Sequence, residues 1–234
     1  MTDFQTLLNE RGVLIADGAT GTNYFALGLE TGYPPELWNI EHPARVKGLH
    51  RQFLDAGSDL ILTNSFGGTS FRLKLHNAQD RVHELNMAAA RLAREAADEH
   101  ASETGRTVLV AGSMGPTGEL FAPLGPLDHA GAVAGFADQA EALAEGGVDL
   151  LWIETISSLE EVNAALEAAR KTGLKVAATM TFDTAGKSMM GVDPADYARH
   201  VASAGAVALG GNCGVGPAEL MHSILAMQGE MDAA

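Results

Sequence analysis

Short apolar runs alternate with longer amphipathic stretches along the chain. The runs cover 13–16, 60–62, 108–111, 150–153, 176–180 and 207–209. Each is continuous rather than alternating, the pattern of strands covered on both faces. Between them, Val82, Leu85, Ala89, Leu92, Ala93 and Ala96 keep a three/four spacing, as do Val133, Phe136, Ala137, Ala140, Leu143 and Ala144. That spacing predicts helices with one apolar stripe. A third helix is predicted to start at the Ser157-Ser158 cap, run through Val162 and Leu166 and stop at Gly173. Strand and helix in alternation imply βαβ units around a parallel sheet, an α/β fold class.

A weak regularity places polar groups within that frame. Gly57, Gly105, Gly147 and Gly205 each precede an apolar run, as turns that end helices. Seven residues on from three of them stand Asn64, Glu154 and Asn212, while the remaining count reaches Gly112, followed by Ser113. The first run ends in Asp17. Polar residues therefore recur where strands end, and in parallel barrels that rim carries the active site. Chains leaving a core are polar in any case, but a carboxylate directly after the run 150–153 is less well explained that way. The pattern reads as a (β/α)8 TIM barrel with about six βα units present. Residues 1–234 are expected to be one barrel domain, C-terminally incomplete, because six tilted strands would leave open edges.

Composition narrows the partners. The formal net charge is -15, with 46% hydrophobic and 19% charged residues. A packed core is expected, and no basic concentration exists to neutralise phosphates or to hold an anionic membrane surface. Nucleic acid and membrane are excluded as partners. Residues 1–12 lack the apolar run of a signal peptide, no segment reaches the ~20 apolar residues of a bilayer span, and one cysteine forbids an internal disulfide. The expected location is cytoplasmic. Met221, Met227 and Met231 read equally as a frayed edge or an interface, so a homo-oligomer stays open.

Four strand-end motifs carry candidate chemistry. Asp17-Gly18-Ala19-Thr20-Gly21-Thr22 is a small-residue turn whose backbone N–H groups could hold a carboxylate, or a plain capped turn. Thr63-Asn64-Ser65-Phe66-Gly67-Gly68 is the second, Glu154-Thr155, suited to an ammonium group, the third. Gly210-Gly211-Asn212-Cys213-Gly214 places the single thiol at a strand end, although a lone cysteine is more often a small buried apolar residue. His76 and His83, seven apart, read as solvated positions of one helix.

Together DGATGT, TNSFGG, GSMGPTGE, DLLWIET and GGNCG, in this order from Val13 to Cys213, resemble the zinc-dependent homocysteine S-methyltransferase family. That family includes betaine–homocysteine methyltransferases and the homocysteine-binding module of methionine synthase. The resemblance implies homocysteine as substrate, zinc as cofactor and a methyl donor that is either betaine or methylcobalamin on a corrinoid protein. It implies Asp17 and Glu154 at the amino group, the turn Gly18, Ala19, Thr20 at the carboxylate, Asn64, Ser65 and Asn212 in the substrate site, and Cys213 as a metal thiolate. The family's Gly-Gly-Cys-Cys motif, which supplies two further zinc thiolates, is absent from this chain. The chain is therefore expected to hold zinc weakly and to be inactive in isolation, while the chemistry is that of a methyltransferase with no catalytic side chain beyond the zinc-activated substrate thiol. Aromatic residues that grip betaine in animal enzymes are matched by Gly67 and Thr155; Trp38, Phe66, Phe71 and Phe121 are an alternative cage. A truncated, catalytically silent barrel serving as an interaction protein is the competing reading. A Schiff-base barrel enzyme is disfavoured because Lys175 begins its strand, at the end away from the rim.

Overall fold

Helix-to-strand turns close on glycines in the left-handed region: Gly57, Gly105, Gly147, Gly173 and Gly205, with φ from 74° to 109°. A side chain would be strained there, so these positions set where each helix stops and the next strand begins. A computed structural model describes residues 3–231; the outer residues of the span 1–234 lie outside it, as does the side chain of Met231. Five strands follow: β1 (Leu60–Leu62), β2 (Leu109–Met114), β3 (Leu150–Ile156), β4 (Lys175–Met180) and β5 (Ala208–Gly211). They form one parallel sheet in chain order, with Leu60 opposite Leu109, Ala111 opposite Leu150, Leu150 opposite Lys175 and Ala177 opposite Ala208.

The helices begin with α1 (Phe4–Arg11), α2 (Gly21–Ala26), α3 (Trp38–Glu41) and α4 (Pro43–Ala56) ahead of β1. Then α5 (Ser70–Leu73) and α6 (Val82–Thr104) lead to β2, α7 (His129–Glu145) to β3, α8 (Leu159–Arg170) to β4, α9 (Pro194–Ser203) to β5, and α10 (Pro217–Met231) follows. The expected helices are present, the third capped by Ser158, whose side chain accepts from the Glu161 N–H. His76 and His83 do not share a helix: His76 ends a 3-10 turn and Asn77, at φ 55°, breaks the chain before α6 starts at Val82. Among the described residues no helix is long and apolar enough to cross a membrane.

The expected count of six units is corrected in one place. Run 13–16 is not a strand but a single bridge from Ala16 to Leu60, with Val13 70% and Ile15 60% exposed. The ladder fails because the Asp59 carboxylate takes the Ile15 N–H at 2.9 Å, while the Asp59 and Leu60 N–H groups both go to the Ile15 carbonyl. The segment still lies along β1, and the Asp17 N–H donates to the Leu60 carbonyl at 2.9 Å.

Alternate strand residues divide the sheet's faces. Ile61, Val110, Leu151, Ile153 and Ala178 join Phe136, Leu143, Val162 and Leu166 in the main core against the helices. Leu60, Leu109, Ala111, Leu150 and Ala177 face the other way, where Phe4 and Leu7 of α1 cover them. Along β3 that second face therefore reads Leu150, Trp152, Glu154 from the covered end to the open one.

A buried amide pair ties the loop after β1 to the helices. Asn86 donates to the Gly68 carbonyl at 2.8 Å, and Gln139 donates to the Ser65 carbonyl at 2.7 Å and to Asn86 Oδ1 at 3.2 Å. Gly68 leaves room for this contact: a Cβ there would stand 2.2 Å from Asn86 Oδ1 and 2.7 Å from Gln139 Nε2. Gly68→Ala should cost about 1–3 kcal/mol through overpacking, read as a lower urea midpoint. Gly48→Ala in α4, where a Cβ meets nothing within 4 Å, should gain up to about 1 kcal/mol. Equal midpoints for the two variants would contradict this account of the loop.

Candidate active site at the strand ends

The open end of the second face is a cavity of about 850 Å³. Its wall includes Asp17, Gly18, Ala19, Thr20, Asn64, Ser65, Glu154, Asn212 and Cys213, so the expected substrate and metal residues share one space. Asp17 is placed by the bridge to β1, and its Oδ2 accepts the Leu62 N–H at 2.9 Å. Glu154 stands at the end of β3, where Oε1 accepts from Ser113 Oγ at 2.6 Å and Oε2 from Asn212 Nδ2 at 3.2 Å. Among the ion pairs of the described residues neither carboxylate appears.

The electrostatic consequence is direct. Burial, and to a smaller extent the Glu154 charge, pushes the Asp17 carboxyl up to about 7 against the pull of the Leu62 N–H. Burial likewise raises Glu154, opposed by its hydrogen bond from Ser113. Two desolvated carboxylates that feel each other's charge and lack a cation are a socket for an ammonium group. In the turn directly after Asp17, the N–H groups of Gly18, Ala19 and Thr20 take part in no hydrogen bond among the described residues, leaving donors for an anionic group.

Asn64 and Ser65 line the wall with their polar atoms engaged in holding loops. The Asn64 amide donates to the Pro35 carbonyl at 2.7 Å and to Asn39 Oδ1 at 3.0 Å. Ser65 Oγ donates to the Ser113 carbonyl at 2.7 Å. Of the four aromatic cage candidates only Phe66 lines the cavity. Trp38 is buried against Tyr24, and Phe71 and Phe121 pack on the main core, so these side chains do not converge.

Cys213 is exposed at the mouth, its Sγ 3.4 Å from Asn212 Nδ2 and 3.6 Å from Thr155 Oγ1. Cys213 and Thr155 both adopt left-handed backbone, with φ of 57° and 61°. Such conformations cost of order 1–3 kcal/mol each and mark functional sites when neighbours enforce them.

Sequence reasoning missed Glu36, Arg72 and Trp152 in the wall. Trp152 was within reach, lying two residues before Glu154 on one strand and hence on the same face. Glu36 gives no periodic signal: it is buried, its Oε1 accepts the Gly67 N–H at 2.6 Å, and burial raises its pKa. Among the described residues no group of three or more His, Cys, Asp or Glu could hold a metal ion.

Comparison with known proteins agrees with the arrangement. The model of the homocysteine S-methyltransferase family matches residues 14–233. A methionine synthase of Mycobacterium tuberculosis (strain ATCC 25618 / H37Rv) is 31% identical over 237 residues, covering 95% of this chain and 20% of that protein. One from Mycobacterium leprae (strain TN) is 29% identical, covering 95% and 19%. The chain thus spans about one-fifth of the length of these curated relatives. The apo crystal structure of the homocysteine methyltransferase MmuM from Escherichia coli superposes with a TM-score of 0.76 at 23% identity, covering 95% of this chain and 80% of that one. Its metallated form gives 0.67 at 22% identity, covering 96% and 99%. These likenesses fix the fold as an α/β half-barrel of five parallel strands, in keeping with part of a TIM barrel. The chain belongs to the homocysteine S-methyltransferase family.

Proposed function

We propose that the cavity binds homocysteine as the acceptor of a methyl group, in a protein that forms methionine. The observation that carries this reading is the pair Asp17 and Glu154, half-buried without a cation in one cavity with the Cys213 sulfur. The ammonium group of the amino acid sits between the carboxylates, and its carboxylate meets the N–H groups of Gly18, Ala19 and Thr20. Asn212 links Glu154 to the sulfur side, where the substrate thiol lies. In the transfer a sulfur–carbon bond forms, the donor–methyl bond breaks and the thiol proton is lost.

For the donor, the reading favours methylcobalamin on a corrinoid protein over betaine. A trimethylammonium group wants converging aromatic faces; Trp38, Phe71 and Phe121 lie outside the cavity, whose aromatic wall residues are Tyr33, Phe66 and Trp152. Gly67 has no room for a ring, since its Cβ would stand 2.9 Å from Glu36 Oε1. Betaine should therefore show no binding to the homocysteine-loaded chain at millimolar concentration by calorimetry; saturable binding would reassign the donor.

Zinc is the metal the family implies. The described residues do not fit it by themselves, because they offer one thiol and no cluster of three ligands, whereas a zinc site takes three or four protein ligands. The purified 234-residue chain is expected to carry well under one zinc per molecule by plasma mass spectrometry. One zinc per chain surviving dialysis against EDTA would contradict this.

Calorimetry with homocysteine tests the central reading. Asp17→Asn and Glu154→Gln should each weaken binding about tenfold, ~1.4 kcal/mol. Affinity should rise with pH up to about 7 and then level, because below that value Asp17 carries a proton that the incoming ammonium must displace. The slope should vanish in Asp17→Asn. Stability takes the opposite sign: a carboxyl raised from 3.8 to about 7 on folding favours the folded state at low pH, and that contribution is lost as pH rises from about 4 to 7. At pH 8 the empty Asp17→Asn chain should melt a few degrees higher, roughly 2–4 °C for each kcal/mol. No homocysteine binding, or binding indifferent to both substitutions, would overturn the proposal.

A further inference from the structure

The ends of β3 and β5 carry the two strained residues, and one side-chain amide joins them. Asn212 Oδ1 accepts the Thr155 N–H at 3.0 Å. That bond settles which end of the amide is oxygen, so Nδ2 faces Thr155 Oγ1 at 2.8 Å and Cys213 Sγ at 3.4 Å. Because Thr155 Oγ1 accepts from Asn212, its own proton is left for another acceptor. The Cys213 sulfur stands 3.6 Å away. Thr155 also borders a second cavity of about 400 Å³, with Leu120, Phe121 and Met189 in its wall. Its sequence neighbour Glu154 and its contact Cys213 line the first cavity.

Glycine would take a φ of 61° without strain, yet a threonine stands here. A β-branched residue in that conformation is an outlier that its surroundings must enforce, and the double contact to Asn212 supplies the enforcement. Beyond its Cβ and methyl group the side chain brings one hydroxyl, and that hydroxyl lies 3.6 Å from the sulfur.

We propose that Thr155 is a positioning residue: held by Asn212, its hydroxyl donates to the Cys213 sulfur and fixes the direction in which that sulfur faces the cavity. The use of this device rests on the reading of the cavity as a thiol-substrate site; the contact itself does not. An exposed side chain on a left-handed backbone at a strand end would otherwise be free to turn among its staggered rotamers.

Cys213 is the single cysteine, so its alkylation by iodoacetamide reports one sulfur, followed by mass spectrometry on the full chain at a pH above ~8.5, where a free thiol is ionised. Thr155→Val should speed alkylation about fivefold, the size expected from losing one net hydrogen bond. Thr155→Ser should restore the original rate, which a purely structural role of the threonine shape would not do. Thr155→Gly removes hydroxyl and strain together: it should alkylate as fast as Thr155→Val yet melt about 2–4 °C higher, which separates the lost contact from a lost fold. Rates of Thr155→Val and Thr155→Gly within about twofold of the original would overturn the proposal. Homocysteine takes no part in this assay, so failure of the binding reading and failure of the clamp give different results.

Discussion

Two carboxylates half-withdrawn from water without a cation impose a standing electrostatic cost, and the rest of the site is arranged around it. Asp17 is anchored by one backbone N–H and Glu154 by Ser113 and Asn212. None of these neutral donors cancels a charge. A protein that needed only stability would place apolar groups or an arginine there. A ligand that brings an ammonium group would recover that cost as affinity.

The fold supplies the setting by simple means. Period-two alternation on β3 sends Leu150 into the layer covered by α1, Trp152 into the cavity floor and Glu154 to its rim. Asp17 arrives from a segment that bridges β1 once, so its position depends on Asp59 and Leu60 more than on a ladder. The loop after β1 is held down by Asn86 and Gln139, fully buried amides that take its carbonyls and leave its other face to the cavity. At the far side Asn212 binds Glu154, Thr155 and Cys213 into one unit. Glu154 and the Cys213 sulfur are therefore mechanically joined through one side chain.

Much of this was legible in the residues. Continuous apolar runs and left-handed glycines marked the strands and their entry points because both follow from local backbone and burial rules. The polar strand ends Asn64, Glu154 and Asn212 followed from a count of seven beyond those glycines, and Asp17 from the end of the first apolar run. Run 13–16 misled, since its four residues are as apolar as a strand while a carboxylate 44 positions away occupies the Ile15 N–H. Glu36 was invisible for a like reason: its burial depends on a loop meeting Gly67, a contact with no sequence period. The handedness of Thr155 and Cys213 also left no trace, because neither residue type announces a positive φ.

The most direct test of the account is a crystal structure of the chain with homocysteine bound. The amino nitrogen should lie about 3 Å from carboxylate oxygens of both Asp17 and Glu154, with the thiol on the Cys213 side of the cavity. An amino acid bound with its nitrogen away from both carboxylates, or with its sulfur turned from Cys213, would contradict it.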